Sequence, residues 1–238
     1  MSTRTSRDLS PLFLGFTCLF LTCLLLSNII AGKIVTFWGL TLPAAVILFP
    51  ITYIVGDVLT EVYGYHRARL VIWIGFLACL LMTVVFLIVL RLPSPGFWQD
   101  QPAYETVLGF TPRLALASLI AYLFGEFANA VVLSKLKLLC AGRRLWLRTI
   151  GSTLVGQALD TGVFITVAFW GVVPGPVLTG MLAGQYLWKV SYEGLATPLT
   201  YLAVGWVKRR EGVDAYDYGV NYNPLKGIHV NEAESVSV

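Results

Sequence analysis

Six times along this chain a predominantly apolar run of about twenty or more residues is closed off by polar, glycine or proline residues, over approximately 12–36, 41–63, 68–90, 113–134, 149–171 and 177–206. A hydrocarbon core about 30 Å thick is crossed by roughly 20 helical residues rising about 1.5 Å each. Inside lipid every backbone N–H and C=O must be paired within the protein, which a helix achieves alone. The runs therefore predict an all-α integral membrane protein with six transmembrane helices in a single domain over residues 1–206, and a cytoplasmic C-terminal tail over 207–238. Composition agrees, with 57% hydrophobic and 13% charged residues where a soluble domain carries about a quarter charged. Together with a mean hydropathy of +0.75, that balance excludes a disordered chain, a coiled coil and a disulfide-stapled secreted module. A mass of 26.2 kDa leaves no room for a soluble catalytic domain beside the spans. Pro198 lies within the sixth and longest run and predicts a kink or break there. The segment 91–112, rich in proline and aromatics, reads as a loop at the membrane interface.

The formal charge of +4 does not point to nucleic acid, because the basic residues form short clusters between apolar runs rather than one helix face. They report topology instead. Arg4 and Arg7, Arg67 and Arg69, then Lys135, Lys137, Arg143, Arg144 and Arg148, and finally Lys208, Arg209 and Arg210 all fall on the same side of a six-span arrangement. By the positive-inside rule that side is the cytoplasm, so both termini are expected there. The first run is too long for a signal peptide and no A-x-A site follows it, so it is expected to stay attached. Three spans per half would make the second half an inverted copy of the first. Loose echoes support a 3+3 repeat: Gly56-Asp57 with Glu61 against Gly156-Gln157 with Asp160, and Asn28 before Lys33 against Asn129 before Lys135. Cys18, Cys23, Cys79 and Cys140 show no C-x-x-C spacing, and the histidines are His66 and His229, so neither a metal site nor a cofactor is expected.

Seven ionisable residues sit inside the runs: Lys33, Asp57, Glu61, Glu126, Asp160, Lys189 and Glu193. At about 3 kcal/mol each, leaving them in lipid would cost on the order of 20 kcal/mol, so they are expected to face the bundle interior. Asp160 falls near the middle of the fifth span, and Lys189 with Glu193 near the middle of the sixth. Asp57 and Glu61 share a face one turn apart toward the cytoplasm, as Glu126 and Asn129 share a face of span four. Plainer readings stand beside these. Lys33 and Glu61 could snorkel to the headgroups, Asp57 could pair with Arg67 or Arg69, and Asp160 with Lys189 could be a structural ion pair locking two spans. Trp38, Trp98, Trp146 and Trp206 fit an interfacial belt, whereas Trp188 and Tyr192 flank Lys189 and Glu193 at mid-depth and could stack on a planar ligand.

The motifs SNIIAGK (27–33), FPITYIVGDVLTEVYG (49–64), ARL (68–70), STLVGQALDTGVF (152–164), KVSYEGLATPLTY (189–201) and EGVDAYDYGVNYNP (211–224) occur in order. Together they make the chain resemble the queuosine-precursor transporter family, also described as vitamin-uptake transporters, over about residues 15–224. The resemblance implies a six-helix protein of a bacterial or archaeal cytoplasmic membrane. It also implies uptake of a 7-deazaguanine, such as 7-cyano-7-deazaguanine or 7-aminomethyl-7-deazaguanine, for queuosine synthesis. It carries onto Asn28, Asp57, Asp160, Tyr186 and Lys189, and more loosely onto Glu61, Glu126 and Glu193. Such a ligand offers a ring N–H beside an amino group, which a carboxylate accepts as a pair, and a carbonyl that needs a donor. Asp160 or Glu126 fits the acceptor role, Asn28, Asn129, Gln157 or Lys189 the donor role, and Trp188 or Tyr192 the aromatic shelf. Lys33, Asp57 and Glu61 are candidates for coupling or gating. Membrane lipid is the expected surrounding partner, and homodimerisation is left open.

Two other classes compete. A substrate-capture subunit of an energy-coupling-factor transporter has similar size, but span one lacks the Ala-x-x-x-Ala docking pattern of that class. An intramembrane aspartyl protease would need two aspartates sharing a proton and glycine at position 54, where this chain has Ile54-Val55-Gly56-Asp57.

Overall fold

The computed structural model describes residues 10–31, 33–37, 40–109 and 112–225. Among the described residues the regular structure is helical apart from one short hairpin. Four helical stretches among the described residues are long and apolar enough to cross a membrane: Pro11–Ile30, Pro50–Val89, Gln101–Leu139 and Leu145–Phe169. Helix α1 (Pro11–Ile30) starts at Ser10, whose hydroxyl accepts the Phe13 N–H at 3.0 Å, with Pro11 in the first turn. It stops short of the expected 36. The β-branched stretch Ile34-Val35-Thr36 favours extended backbone, and β1 (Ile34–Phe37) pairs antiparallel with β2 (Leu40–Pro43), Ile34 opposite Pro43. A 3-10 turn at Ala44–Ile47 follows, so the second run becomes helical only at Phe49 rather than 41. Trp38, Arg4, Arg7 and His229 lie outside the described residues.

Helix α2 (Phe49–Val89) contains a break at Gly64, with φ 83° and ψ 164°, a conformation open almost only to glycine. The chain reverses there. Phe13 packs edge-on against Tyr63 at 5.0 Å and Phe20 lies against Gly56, so α1 runs antiparallel to the arm before the break. Arg67 sits 5.6 Å over the Phe13 ring, Leu24 lies against Gly75, and the Asn28 amide reaches Cys79, so α1 runs parallel to the arm after it. The two arms are thus antiparallel to each other, matching the expected separation of 41–63 from 68–90, but with a single-residue hinge. The next helix, α3 (Gln101–Leu108), lies exposed within the expected interfacial segment.

Helix α4 (Pro112–Leu139) and α5 (Leu145–Phe169) are antiparallel neighbours held at close range by Gly125 and Gly156. A Cβ on Gly125 would sit 2.7 Å from the Asp160 Cβ, and one on Gly156 would sit 2.9 Å from the Asn129 Cβ. Helix α6 (Gly175–Glu211) runs through Pro198 without the expected break. Thr197 donates its hydroxyl to the Glu193 carbonyl at 2.9 Å. Helix α6 is long, but with Lys189 and Glu193 in its middle it is not among the four stretches apolar enough to cross.

One apolar core joins α1 to both arms of α2 and the ends of α5 and α6 through Phe13, Phe20, Val58, Val71, Leu145 and Val207. Leu81, Leu187, Leu195 and Leu202 are exposed on the outside, the inverse of a soluble protein's surface. The start of α1, the Gly64 turn, the end of α4, the start of α5 and the end of α6 gather at one end of the bundle.

Candidate functional site

Two polar assemblies occupy the interior. The first is at mid-bundle, where α2, α4, α5 and α6 each contribute. The Gly125–Gly156 contact places Asp160 of α5 beside α4, and Asp160 forms an ion pair with Lys189 of α6. Glu126 and Asn129, one turn apart on α4, line a cavity of about 10 Å³ with Phe20, Gly56, Leu59 and Thr60, room for roughly one water molecule. Asn129 donates to Asp57 Oδ1 at 3.4 Å. Glu126 lies within electrostatic reach of Asp57, Asp160 and Lys189, and Glu193 within reach of Asp57 and Glu126. Gln157 hydrogen-bonds Tyr53, which faces the same group from α2. Several valences stay open: Asp57 Oδ2, Asn129 Oδ1, Gln157 Oε1 and both oxygens of Glu193 have no partner among the described residues. The residues read from the sequence as Asp57, Glu126, Asn129, Gln157, Asp160, Lys189 and Glu193 are therefore brought together. Asp57 pairs with Asn129 and not, among the described residues, with Arg67 or Arg69, and Asp160 is ion-paired to Lys189, which disfavours a proton shared between the two aspartates.

Other expected residues lie elsewhere. Asn28 donates to the Leu24 carbonyl at 2.8 Å and reaches toward Cys79, two turns beyond Phe20. Tyr186 donates to the Leu154 carbonyl at 3.3 Å and lines an open groove with Ala158, Thr161 and Gly162 between α5 and α6. Trp188 and Tyr192 are half-buried on the flank of α6, one residue off the face that carries Lys189 and Glu193. Lys33 is exposed beside the hairpin, its carbonyl accepting the Ala44 N–H at 2.7 Å.

The second assembly fills the end of the bundle where the Gly64 turn, the end of α4, the start of α5 and the end of α6 gather. Glu61 does not snorkel; it is fully buried and is held by Lys208 at 2.7 Å, Arg148 at 3.1 Å and Lys137 at 3.6 Å. Asp214 from the tail joins it, ion-paired to Lys137 and, at 2.8 Å, to Lys208. Burial alone would raise the Asp214 carboxyl, but hydrogen bonds from the two lysines outweigh that and hold it below the ordinary carboxylate range. Lys137 also donates to the Glu61 and Ala215 carbonyls, each at 2.6 Å.

The tail continues as a strap. Asp217 accepts the Tyr65 N–H at 3.0 and 3.1 Å, capping the helical arm that restarts after Gly64, and it is also bonded by Ser134. A Cβ on Gly64 would meet Asp217 Oδ1 at 2.9 Å, so the hinge residue has neither the conformation nor the space for a side chain. Farther on, Tyr65 bonds the Tyr222 carbonyl, Arg69 the Asn223 carbonyl and Trp73 the Pro224 carbonyl. Sequence reasoning took Lys137 and Arg148 for loop cations and missed Tyr53, Asp214 and Asp217. The acidic residues interleaved with Val and Tyr in EGVDAYDYGVNYNP were the available signal that the tail is built rather than trailing.

A profile of the family described as "Putative vitamin uptake transporter" matches residues 43–203. Among curated proteins, the chain is 35% identical over 178 residues to the "Probable queuosine precursor transporter" of Bacillus subtilis, which covers 74% of this chain and 78% of the relative. It is 32% identical over 122 residues to the "Queuosine precursor transporter" of Escherichia coli, about half of each chain (51% and 52%). A third relative, the "Probable queuosine precursor transporter" of Haemophilus influenzae, is 25% identical over 51% of this chain and 49% of its own. No solved structure matches the chain. The profile covers both arms of α2 and every helix that lines the mid-bundle site, and on that ground the chain belongs to the family described as Putative vitamin uptake transporter.

Proposed function

We propose that this protein carries queuosine precursors of the 7-deazaguanine class across a bacterial or archaeal cytoplasmic membrane, and that the mid-bundle assembly is where the cargo sits. The observation that carries this is the meeting of Asp160, Glu126, Asn129, Gln157 and Lys189 at mid-bundle, where Glu126 and Asn129 line a small cavity, in a chain whose relatives are named as transporters of that cargo. A carboxylate with open lone pairs suits the paired N–H donors of the guanine edge, and the ammonium and amides suit its carbonyl. Six crossings with both termini in the cytoplasm fit the antiparallel arms of α2 and the gathering of basic residues at one end. Two halves of three, α1 with the arms of α2 and then α4 to α6, fit an inverted repeat.

The cavity admits about one water, so a fused bicycle enters only when helices separate. The Glu61 assembly ties α2, α4, α5, α6 and the tail together at the cytoplasmic end and acts as the closed inner gate. Glu61, fastened by three cations, is a lock rather than a proton relay. The test is uptake of labelled deazaguanines by cells that lack their own synthesis, with the membrane gradients collapsed in a parallel sample. Uptake that depends on this chain supports the reading, and equal accumulation with and without the chain overturns it.

A further inference from the structure

The mid-bundle site holds more negative charge than its own cation neutralises. Asp57 from α2, Glu126 from α4, Asp160 from α5 and Glu193 from α6 face one another, with Tyr53 beside them. Lys189 is the cation of this group, and Asp160 engages it. Glu193 is 1% exposed, and neither of its carboxylate oxygens has a partner among the described residues. Asp57 is 2% exposed and keeps Oδ2 open, while its other oxygen receives only the long bond from Asn129. A buried carboxylate with neither counter-ion nor donor is unfavourable, so its charge must be compensated. Within the site a proton can do that, or a cation brought in from outside. A neutral ligand leaves the deficit as it was, whereas a ligand bearing an ammonium group replaces a proton with an ion pair.

We propose that Glu193 is the specificity-determining residue for a positively charged arm on the substrate, so that the site selects a deazaguanine whose 7-substituent ends in a primary ammonium over its neutral nitrile counterpart. This rests on the reading that deazaguanines are the cargo. Residues four apart on a helix are stacked, so Lys189 and Glu193 present a donor and an acceptor along one face of α6. Asp160 and Lys189 then hold the guanine edge and Glu193 holds the arm, with Asp57 and Glu126 close enough to share the charge. The balance is simple. One carboxyl O–H proton leaves the Asp57, Glu126 and Glu193 group for solvent as the ligand's N–H⁺ pairs with the carboxylate left behind, so the net charge in the site does not change.

The experiment is calorimetric titration of the purified protein with 7-aminomethyl-7-deazaguanine and with 7-cyano-7-deazaguanine, in buffers of different ionisation enthalpy and across pH 6–8. The ammonium ligand is expected to bind at least about tenfold more tightly, as a charge-assisted bond implies. It should release about one proton, with affinity rising by up to about tenfold per pH unit. The nitrile should bind without proton release. Glu193→Gln should weaken the ammonium ligand at least about tenfold more than the nitrile. Equal affinities for the two ligands, or ammonium binding without proton release in the unaltered protein, overturn the proposal whatever the variant does. Binding of neither ligand overturns the cargo reading as well, and is recognisably a different failure.

Discussion

Asp57 and Glu61 stand one turn apart on the same helix, yet they belong to opposite kinds of interior. Around Glu61 three cations and two carboxylates are cross-paired and the backbone of the tail joins in, although Glu61 Oε2, Arg148 Nε and one Arg148 terminal nitrogen have no hydrogen-bond partner among the described residues. Around Asp57 four carboxylates share one lysine, and oxygens are left over. A network of cross-paired charges fixes helices in register. A buried group with more carboxylates than cations has charge left to be compensated. The contrast separates a cross-paired end of the bundle from a mid-bundle group with more carboxylates than cations.

The strongest way to break this contrast is Glu61→Gln. It leaves Lys137, Arg148 and Lys208 with Asp214 as their remaining carboxylate, and removing one member of a buried ion pair costs about 3–5 kcal/mol. Thermal unfolding in detergent should register a loss of that size, and a variant as stable as the parent would mean that the end assembly holds nothing. Asp160→Asn should do the opposite. Glu126 lies within electrostatic reach of Lys189 and can take over its charge, so stability changes little. Ligand affinity should fall by about ten- to a hundredfold, the equivalent of about 1.5–3 kcal/mol for a charged hydrogen bond. Unchanged affinity in the purified variant would reassign Asp160 to helix locking.

Smaller effects sharpen the boundary. Asp217→Ala removes the cap from the arm that begins at Tyr65 and should cost about 1 kcal/mol. Limited proteolysis near Gly64 and in the tail should rise together if the strap is one unit. The pH response is the smallest expected effect. Because the folded-state Asp214 carboxyl is held below its ordinary range, its contribution is present above the unfolded value of about 3.9 and is lost as pH falls through the lower folded value. Asp214 is 30% exposed, which limits the contribution to under about 1 kcal/mol. Between pH 7 and 5 the Asp214→Asn variant should track the parent at a constant small offset, and the two should converge only in more acid solution.

Much of the architecture was legible in the residues. The break between the second and third apolar runs was placed within a few residues of Gly64, because a glycine amid polar residues interrupts an apolar pattern whatever the tertiary context. The fold was misread where propensity was local and weak, at Ile34 to Pro43. Pro198 read as a kink or break, and the helix does not break there. The site was legible as a set, since a charge in an apolar run has few places to go, but not as pairs. Lys137 and Arg148 read as loop charges because nothing in their spacing tells that the tail returns to meet them. Asn28 and Tyr186 came in through the family resemblance, which does not tell which helix face turns inward, and their hydrogen bonds lie away from the mid-bundle group.

The sequence alone determined that this chain is a helical membrane protein, which residues could not face lipid and where the basic end lies, because the cost of exposing backbone and charge to hydrocarbon acts on each residue separately. Only the tertiary structure decided which carboxylate met which cation. That outcome depends on the approach of helices far apart in sequence, fixed here by two glycines at the α4–α5 contact, a hinge at Gly64 and a tail bound across it.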